Sequence, residues 1–137
     1  MSSDKDKEVD FLRLPNITPH QVVSLLLNRY PTVRDLVCSD EYCFEEPTRV
    51  YDAFAKVVIE RSYDPDFIQS VARFIDELAE SDNLLIESVL SASLLEGIAE
   101  NEQLARTISR SISPRSKRVL QEVESKIYGR SPSAEET

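Results

Sequence analysis

The side chains that could act as acids, bases or nucleophiles are few in this sequence. His20 is the only histidine, and no nucleophile elbow or glycine-rich turn accompanies it. A hydrolytic site needs a base within hydrogen-bond reach of its nucleophile, and the pattern supplies no such pair. We therefore interpret His20 as a surface histidine in the first turn of a helix. We expect no catalytic residue and no enzymatic activity.

Cofactor and metal sites find no better support in the sequence. Loops that cradle phosphate need several glycines, and the chain has only Gly97 and Gly129. The acidic stretch 39–46 lacks the alternating ligands and central glycine of a calcium loop. The Glu-x-x-His pattern of two-metal helical bundles is also missing. We expect no cofactor-binding and no metal-binding residue.

Cys38 and Cys43 are the only two cysteines. With a single histidine in the chain, they cannot complete a tetrahedral zinc site. We expect two reduced thiols in a reducing cytosol, and the alternative is a disulfide that closes a small loop. The polar start of the chain is unlike a signal peptide, and no apolar run approaches the roughly 20 residues of a membrane span. These features predict a cytoplasmic protein without a membrane partner.

The charge of the chain is unevenly distributed around a net of −9. Residues 35–102 contain 17 acidic and 4 basic residues, whereas residues 103–130 contain 7 basic and 2 acidic residues. An acidic body repels phosphate backbones, so we expect no direct nucleic-acid binding. Such a surface suits a basic protein partner, although it also simply keeps a protein soluble.

Apolar residues recur at helical spacing along most of the chain, and no segment alternates strictly between apolar and polar residues. Thr18-Pro19, Asp64-Pro65 and Ser113-Pro114 each place a capping side chain before a proline at the first helical position. We predict an all-α single domain over residues 11–129, with about six or seven helices. A disordered lead-in at 1–10 and a disordered tail at 130–137 flank it.

The predicted helices form stacked antiparallel hairpins, 47–62 with 64–80 and 82–99 with 101–112, because their connections are short. The helix at 82–99 is apolar nearly all round, which indicates a central buried helix capped by Asp82. Glu87 falls within its apolar arc. It must then pair with an arginine of a flanking helix, such as Arg49, Arg61 or Arg73, or be exposed near a helix end.

Two acidic clusters are candidates for a partner-binding surface, with two aromatic residues as anchors. The first cluster includes the aromatic residues Tyr42 and Phe44, for which the alternative is packing under a loop. For the second cluster, Asp76, Glu77, Glu80 and Asp82, the alternative is a solvated face. The candidates are Asp40, Glu41, Tyr42, Phe44, Glu45, Glu46, Asp76, Glu77, Glu80 and Asp82.

Several segments resemble a bacterial family of small acidic all-helical domains. They are Phe74-Ile75-Asp76-Glu77-Leu78-Ala79, Asn83-Leu84-Leu85, Val89-Leu90, Leu94-Leu95-Glu96-Gly97-Ile98, Ile112-Ser113-Pro114-Arg115 and Leu120-Gln121-Glu122-Val123. The resemblance covers roughly residues 18–128. Members of that family have no established activity, and some resemble immunity proteins of interbacterial toxin systems.

The resemblance implies an immunity protein that neutralises a cognate toxin domain, possibly a nuclease, by direct binding. An acidic face could fill the basic substrate groove of such a toxin, and electrostatic steering would speed its capture. The alternative is a helical adaptor or regulatory protein without a toxin partner.

Overall fold

The computed structural model describes residues 17–129 and contains seven helices and no strand within that range. The helices are α1 (Pro19–Arg29), α2 (Arg34–Val37), α3 (Pro47–Glu60), α4 (Pro65–Ala79), α5 (84–99), α6 (Glu102–Ser109) and α7 (Pro114–Tyr128). Two 3-10 helices, Pro31–Val33 and Glu41–Glu45, lie before and after α2. The prediction of an all-α fold with six or seven helices is confirmed. The segments predicted to be disordered, 1–10 and 130–137, lie outside the described residues.

Local capping chemistry fixes where most helices begin and end. The hydroxyl of Thr18 accepts a hydrogen bond from the backbone N–H of Gln21, and Asp64 and Ser113 cap α4 and α7 in the same manner. The last helix ends at Gly129, which adopts a left-handed conformation with φ of 58°. One predicted cap was wrong by a residue, because Asn83 rather than Asp82 accepts the first N–H groups of α5.

Helix α5 is the central helix of the fold, as its apolar sequence predicted. It packs against α1, α3, α4, α6 and α7. Its middle part, Val89–Leu95, is a π-helix flanked by α-helical turns at Leu84–Ser88 and Glu96–Ala99. Burial is not uniform around its start, where the side chain of Leu84 is 80% exposed. The prediction that α5 is buried, which rested on its being apolar nearly all round, is therefore wrong at its first turn.

Helices α3 and α5 cross where Gly97 of α5 faces Ala55 of α3. A Cβ atom added to Gly97 of α5 would stand 2.5 Å from the Cβ of Ala55 in α3. Two small side chains therefore let these helices approach closely. Helix α4, by contrast, meets α3 through large rings, such as Phe54 against Phe67 with centroids 6.4 Å apart. The expected hairpin of 47–62 with 64–80 is thus spaced by aromatic side chains.

An aromatic cluster fills the space between α1, α3 and α4. The rings of Tyr30, Phe54 and Phe74 contact one another with centroids 4.8 to 6.4 Å apart. Tyr51 lies beside them, fully buried, and its hydroxyl donates a hydrogen bond to the carbonyl of Val22 at 2.9 Å. Burial raises the pKa of the Tyr51 phenol above its usual value.

The sequence places Glu87 in the apolar arc of α5, but the carboxylate that is buried within residues 17–129 belongs to α7. Glu87 is exposed, which agrees with the alternative of exposure near a helix end. Glu124 of α7 is fully buried instead. It shares the inward face of α7 with Ser116, Leu120 and Val123, whereas Ile127 is 54% exposed. None of the helices in residues 17–129 is long and apolar enough to cross a lipid bilayer.

Candidate functional site

The first acidic cluster folds into a short helix on the surface, which we call the acidic 3-10 helix (Glu41–Glu45). The Asp40 carboxylate begins it by accepting a hydrogen bond from the backbone N–H of Cys43 at 3.1 Å. A 3-10 helix has three residues per turn, so Tyr42 and Glu45 lie on the same side. Cys43 is buried against the protein, whereas Tyr42 is 65% exposed. The helix therefore presents an aromatic ring beside carboxylates.

A disulfide joins Cys38 to Cys43, with their Cα atoms 5.4 Å apart. The expectation of two reduced thiols is therefore wrong, and the small closed loop is the correct alternative. The cause is local: Cys38 ends α2, and the turn capped by Asp40 folds the chain back so that Cys43 faces it. Sequence spacing alone could not show this turn, because residues 39–46 carry no glycine or proline that marks it.

The two predicted aromatic anchors, Phe44 and Tyr42, differ in how many contacts their rings make within the protein. The Phe44 ring stacks on the ring of His20 with centroids 4.5 Å apart and an interplanar angle of 18°. The guanidinium of Arg34 lies 5.7 Å from the centre of the Phe44 ring. Phe44 is half-buried and ties the acidic 3-10 helix to α1 and α2. Tyr42 is the anchor whose ring faces solvent.

The carboxylates of this cluster divide into paired and unpaired groups. Arg49, in the first turn of α3, hydrogen-bonds to Glu46 at 3.1 Å and lies 3.8 Å from Asp40. The hydrogen bond from Arg49 to Glu46, together with the charges of Glu46 and Asp40, raises the pKa of the Arg49 guanidinium. Within residues 17–129, Glu41 and Glu45 form no ion pair. These two carboxylates point their charge toward solvent beside Tyr42.

The second acidic cluster, at the end of α4, is largely occupied by contacts within the protein. Asp76 accepts hydrogen bonds from the N–H of Ser113 at 2.8 Å and the hydroxyl of Ser116 at 2.7 Å. Glu77 forms an ion pair with Arg29. The remaining members are both exposed: Asp82 lies 3.5 Å from Arg115, and Glu80 caps the end of α4. A contact role for this cluster stays a prediction, with Glu80 its most available member.

The fold does not merge the two clusters into one surface. The first contacts α1 through His20, and the second contacts α1 through Arg29. These residues are nine positions apart, which is about two and a half turns at 3.6 residues per turn. Their side chains therefore leave α1 on opposite sides. The acidic 3-10 helix and its neighbours form the better candidate site by themselves.

Sequence reasoning missed three residues of this surface. Arg49 contacts the carboxylates of Asp40 and Glu46, and the ring of His20 stacks on Phe44. Each of these contacts joins two different elements, so no local sequence pattern indicates it. Leu36 is 58% exposed on α2, the helix whose Arg34 packs over Phe44. The only sign of this exposure in the sequence is that Leu36 does not belong to an apolar stripe of its four-residue helix. Leu36 is a further exposed apolar side chain, two positions after Arg34 in α2.

The remaining surface features do not indicate a chemical centre. An open depression beside the acidic 3-10 helix is lined by Glu45, Arg49, Asp52 and Lys56 among others, with charges of both signs. Residues 17–129 contain no grouping of three His, Cys, Asp or Glu side chains that could hold a metal ion. No family model, curated protein or solved structure matches this chain.

Proposed function

We propose that this protein is a bacterial immunity protein, which neutralises a cognate toxin domain by binding it through the acidic 3-10 helix. The observation that carries the proposal is the exposed ring of Tyr42, with Glu45 on the same side of the 3-10 helix and Glu41 next to it in the chain, both carboxylates forming no ion pair in the described chain. Tyrosine is among the residues that most often anchor the centre of a protein interface, and carboxylates suit the polar rim around such an anchor.

The charge of this surface specifies the chemistry of the partner. A carboxylate buried in an interface is costly unless a basic group of the partner pairs with it. Glu41 and Glu45 therefore require lysine or arginine on the opposing surface. The substrate groove of a nuclease offers such residues, because it must bind phosphate. A basic toxin domain of this class is the partner we propose, and the cytoplasm is the compartment in which both would meet.

The acidic 3-10 helix is too small to form the whole interface. A stable interface covers about 800 Å² on each partner, which needs some 20 to 30 residues. Leu36 is exposed on α2, which precedes this helix in the chain, and the depression that Glu45 lines together with Asp52 and Lys56 adjoins it. The interface in this proposal therefore extends from α2 across the acidic 3-10 helix to the outer face of α3.

The test is co-expression with the product of the adjacent upstream gene, followed by affinity purification and a growth assay. Wild-type protein is expected to form a complex and to rescue growth. The triple variant Glu41→Lys, Tyr42→Ala and Glu45→Lys is expected to lose both complex and rescue. A matched control, Glu87→Lys with Glu100→Lys, changes two exposed carboxylates elsewhere and is expected to keep both.

The outcomes separate the immunity proposal from the adaptor alternative. A toxic neighbour that forms no complex with the wild-type protein would contradict the proposed function. A complex with a neighbour that is not toxic would instead support a helical adaptor. Equal loss of binding in the triple variant and in the matched control would show that net charge, and not this surface, drives association.

A further inference from the structure

A disulfide bond joins the acidic 3-10 helix to the end of α2. Cys38 lies at the end of α2, where its backbone N–H donates to the carbonyl of Arg34 at 2.8 Å. Cys43 lies in the middle of the acidic 3-10 helix. The disulfide between them closes a loop that includes Asp40 and Glu41 and ends one residue after Tyr42. The bond therefore fixes the segment that carries the candidate anchor.

This segment packs against α1 and α3, and hydrogen bonds hold it at both ends. Asp40 accepts from the Cys43 N–H, and the Glu46 N–H donates to the Cys43 carbonyl at 3.0 Å. Helices of the 3-10 type have poor hydrogen-bond geometry, and one so short has no stability of its own. The contact of Phe44 with His20 holds the far end of the segment. Before Cys43, the segment is held by the Asp40 cap, by the 3.8 Å contact of Asp40 with Arg49 and by the disulfide, which is the only covalent one of the three.

We propose that the Cys38–Cys43 disulfide is a redox lock on the partner-binding surface, an inference that rests on the proposed function of the acidic 3-10 helix. In the oxidised form, Glu41 and Tyr42 are held in one arrangement for the partner. In the reduced form, which a reducing cytoplasm favours, the segment loses this constraint, so the lock closes when the cytoplasm becomes oxidising. A partner must then order it on binding, and the entropy lost in that step weakens the complex.

The opening reaction is an exchange with a dithiol reductant. A thiolate of the dithiol attacks one of the two sulfur atoms, the Cys38–Cys43 bond breaks, and the other cysteine leaves as a thiolate that takes up a proton. The second thiol of the reductant then attacks the mixed disulfide and releases the first cysteine. Two electrons pass from the dithiol, which becomes a disulfide, to the protein, which becomes a dithiol.

Burial makes this exchange conditional on a local opening. Cys38 is 6% exposed and Cys43 is 2% exposed, so a reductant cannot reach either sulfur in the closed arrangement. Short surface segments open locally at a small fraction of the free energy of global unfolding. Reduction therefore needs only the acidic 3-10 helix to open, and the seven helices can remain folded.

The first experiment needs no partner. Amide hydrogen exchange is measured by mass spectrometry on the full chain in three forms: oxidised, reduced with dithiothreitol, and as the Cys38→Ser/Cys43→Ser double variant. We expect exchange in residues 39–46 to be at least about tenfold faster in the last two forms, with α5 unchanged. Equal exchange in all three forms would overturn the proposal. So would free thiols, detected by alkylation, after treatment with oxidised glutathione.

The second experiment measures affinity for the product of the adjacent gene. The oxidised wild type is expected to bind about tenfold more tightly than the reduced wild type and the double variant. Dithiothreitol should not change the affinity of the double variant, which controls for effects of the reductant on the partner. Equal affinity of the oxidised and reduced forms would overturn the lock. If neither form binds, the proposed function fails, and hydrogen exchange alone decides whether the segment is redox-controlled.

Discussion

A single carboxylate, that of Asp76, connects α4 to the start of α7. Its oxygen accepts hydrogen bonds from Ser113 and Ser116, next to the positive end of the α7 dipole. Asp76→Ala should lower the free energy of unfolding by about 1 to 3 kcal/mol, because both donors lose a charged acceptor. Urea denaturation is the measurement. Glu80→Ala, a change in an exposed residue of the same cluster, should stay within about 0.5 kcal/mol, and an equal loss would argue against the contact.

The buried phenols should make the protein sensitive to alkaline pH. Burial raises the pKa of Tyr30 and Tyr51 above the usual value of 10.0, so both stay neutral in the folded state. Unfolded tyrosines ionise near that value, so the stabilisation is complete below it and declines as the pH rises above it. Tyr51 should account for about 1.4 kcal/mol per pH unit in that range.

The measurement for this pH effect is urea denaturation over a series of alkaline buffers. The Tyr63→Phe variant serves as the control, because Tyr63 is 80% exposed and should leave the slope unchanged. Phenolate absorbance should show Tyr51 ionising together with unfolding. Ionisation of Tyr51 in the intact fold would contradict the argument.

At the scale of elements, the contact between α3 and α5 depends on the missing side chain of Gly97. Gly97→Ala should lower the free energy of unfolding by about 1 to 3 kcal/mol, because its Cβ would overlap that of Ala55. The overlap outweighs the gain in helix propensity of about 1 kcal/mol. The double variant Ala55→Gly/Gly97→Ala should recover most of the loss, as measured by denaturant unfolding in a double-mutant cycle. Additive losses would show that the helices do not meet at this pair.

The π-helical part of α5 buries a hydroxyl that the described residues do not satisfy. The Oγ of Ser93 has no hydrogen-bond partner among them. Ser93→Ala should therefore raise the free energy of unfolding by about 1 kcal/mol, since an unsatisfied buried polar group is removed. Ser116→Ala is the matched control: it removes a buried serine whose hydroxyl binds Asp76, and it should destabilise. Thermal unfolding of both variants distinguishes them, and a loss in Ser93→Ala would indicate a bound water.

Sequence predicts those features of the elements that arise within a few residues. The caps at Thr18, Asp64 and Ser113 act on the next turn of their own helix, so their residue types were sufficient. The π-helix and the burial of Glu124 depend on how α5 and α7 pack, which no local pattern encodes. Glu87 lies in the first turn of α5 on the side of Leu84, which is itself exposed, so its place in the apolar arc did not lead to burial.

The candidate site was predictable in composition but not in arrangement. The acidic residues and Tyr42 could be identified from the sequence, because charged and aromatic residues cluster there. Asp40 and Glu46 pair with Arg49 because the start of α3 lies against this segment, whereas Glu41 and Glu45 form no ion pair in the described chain. The disulfide likewise depends on a turn that only the folded chain reveals. Contacts between elements therefore decided which candidates remain available.

For the whole molecule, the net charge of −9 should govern how fast a basic partner is captured. Part of the basic segment is already paired internally, with Arg106 lying 3.3 Å from Glu102 and Arg115 lying 3.5 Å from Asp82. In these pairs, the basic side chains lie beside acidic residues that do not belong to the acidic 3-10 helix. Glu41 and Glu45 form no ion pair within the described chain, so their charge adds to the negative field at that helix.

The association rate should therefore depend on salt more than the dissociation rate does. Raising the ionic strength from about 0.05 to about 0.5 M should slow association with the adjacent gene product by about tenfold. Stopped-flow measurements test this. Glu41→Lys with Glu45→Lys should flatten the dependence, whereas Glu87→Lys with Glu100→Lys should reduce it only slightly. An equal effect of both pairs would assign steering to the net charge alone.

The π-helix of α5 has a consequence for changes in chain length. A π-helical segment accommodates about one residue more than an α-helix of the same span, so the turns that follow keep their orientation. Deletion of Ala92, which is exposed within this segment, would let α5 close into a continuous α-helix. Glu96–Ala99 would still face α3 and α7. The same deletion in the middle of α3 would rotate every following side chain by about 100°. Losing one residue from the π-helix should therefore disturb the packing less than losing one from the middle of a regular α-helix such as α3.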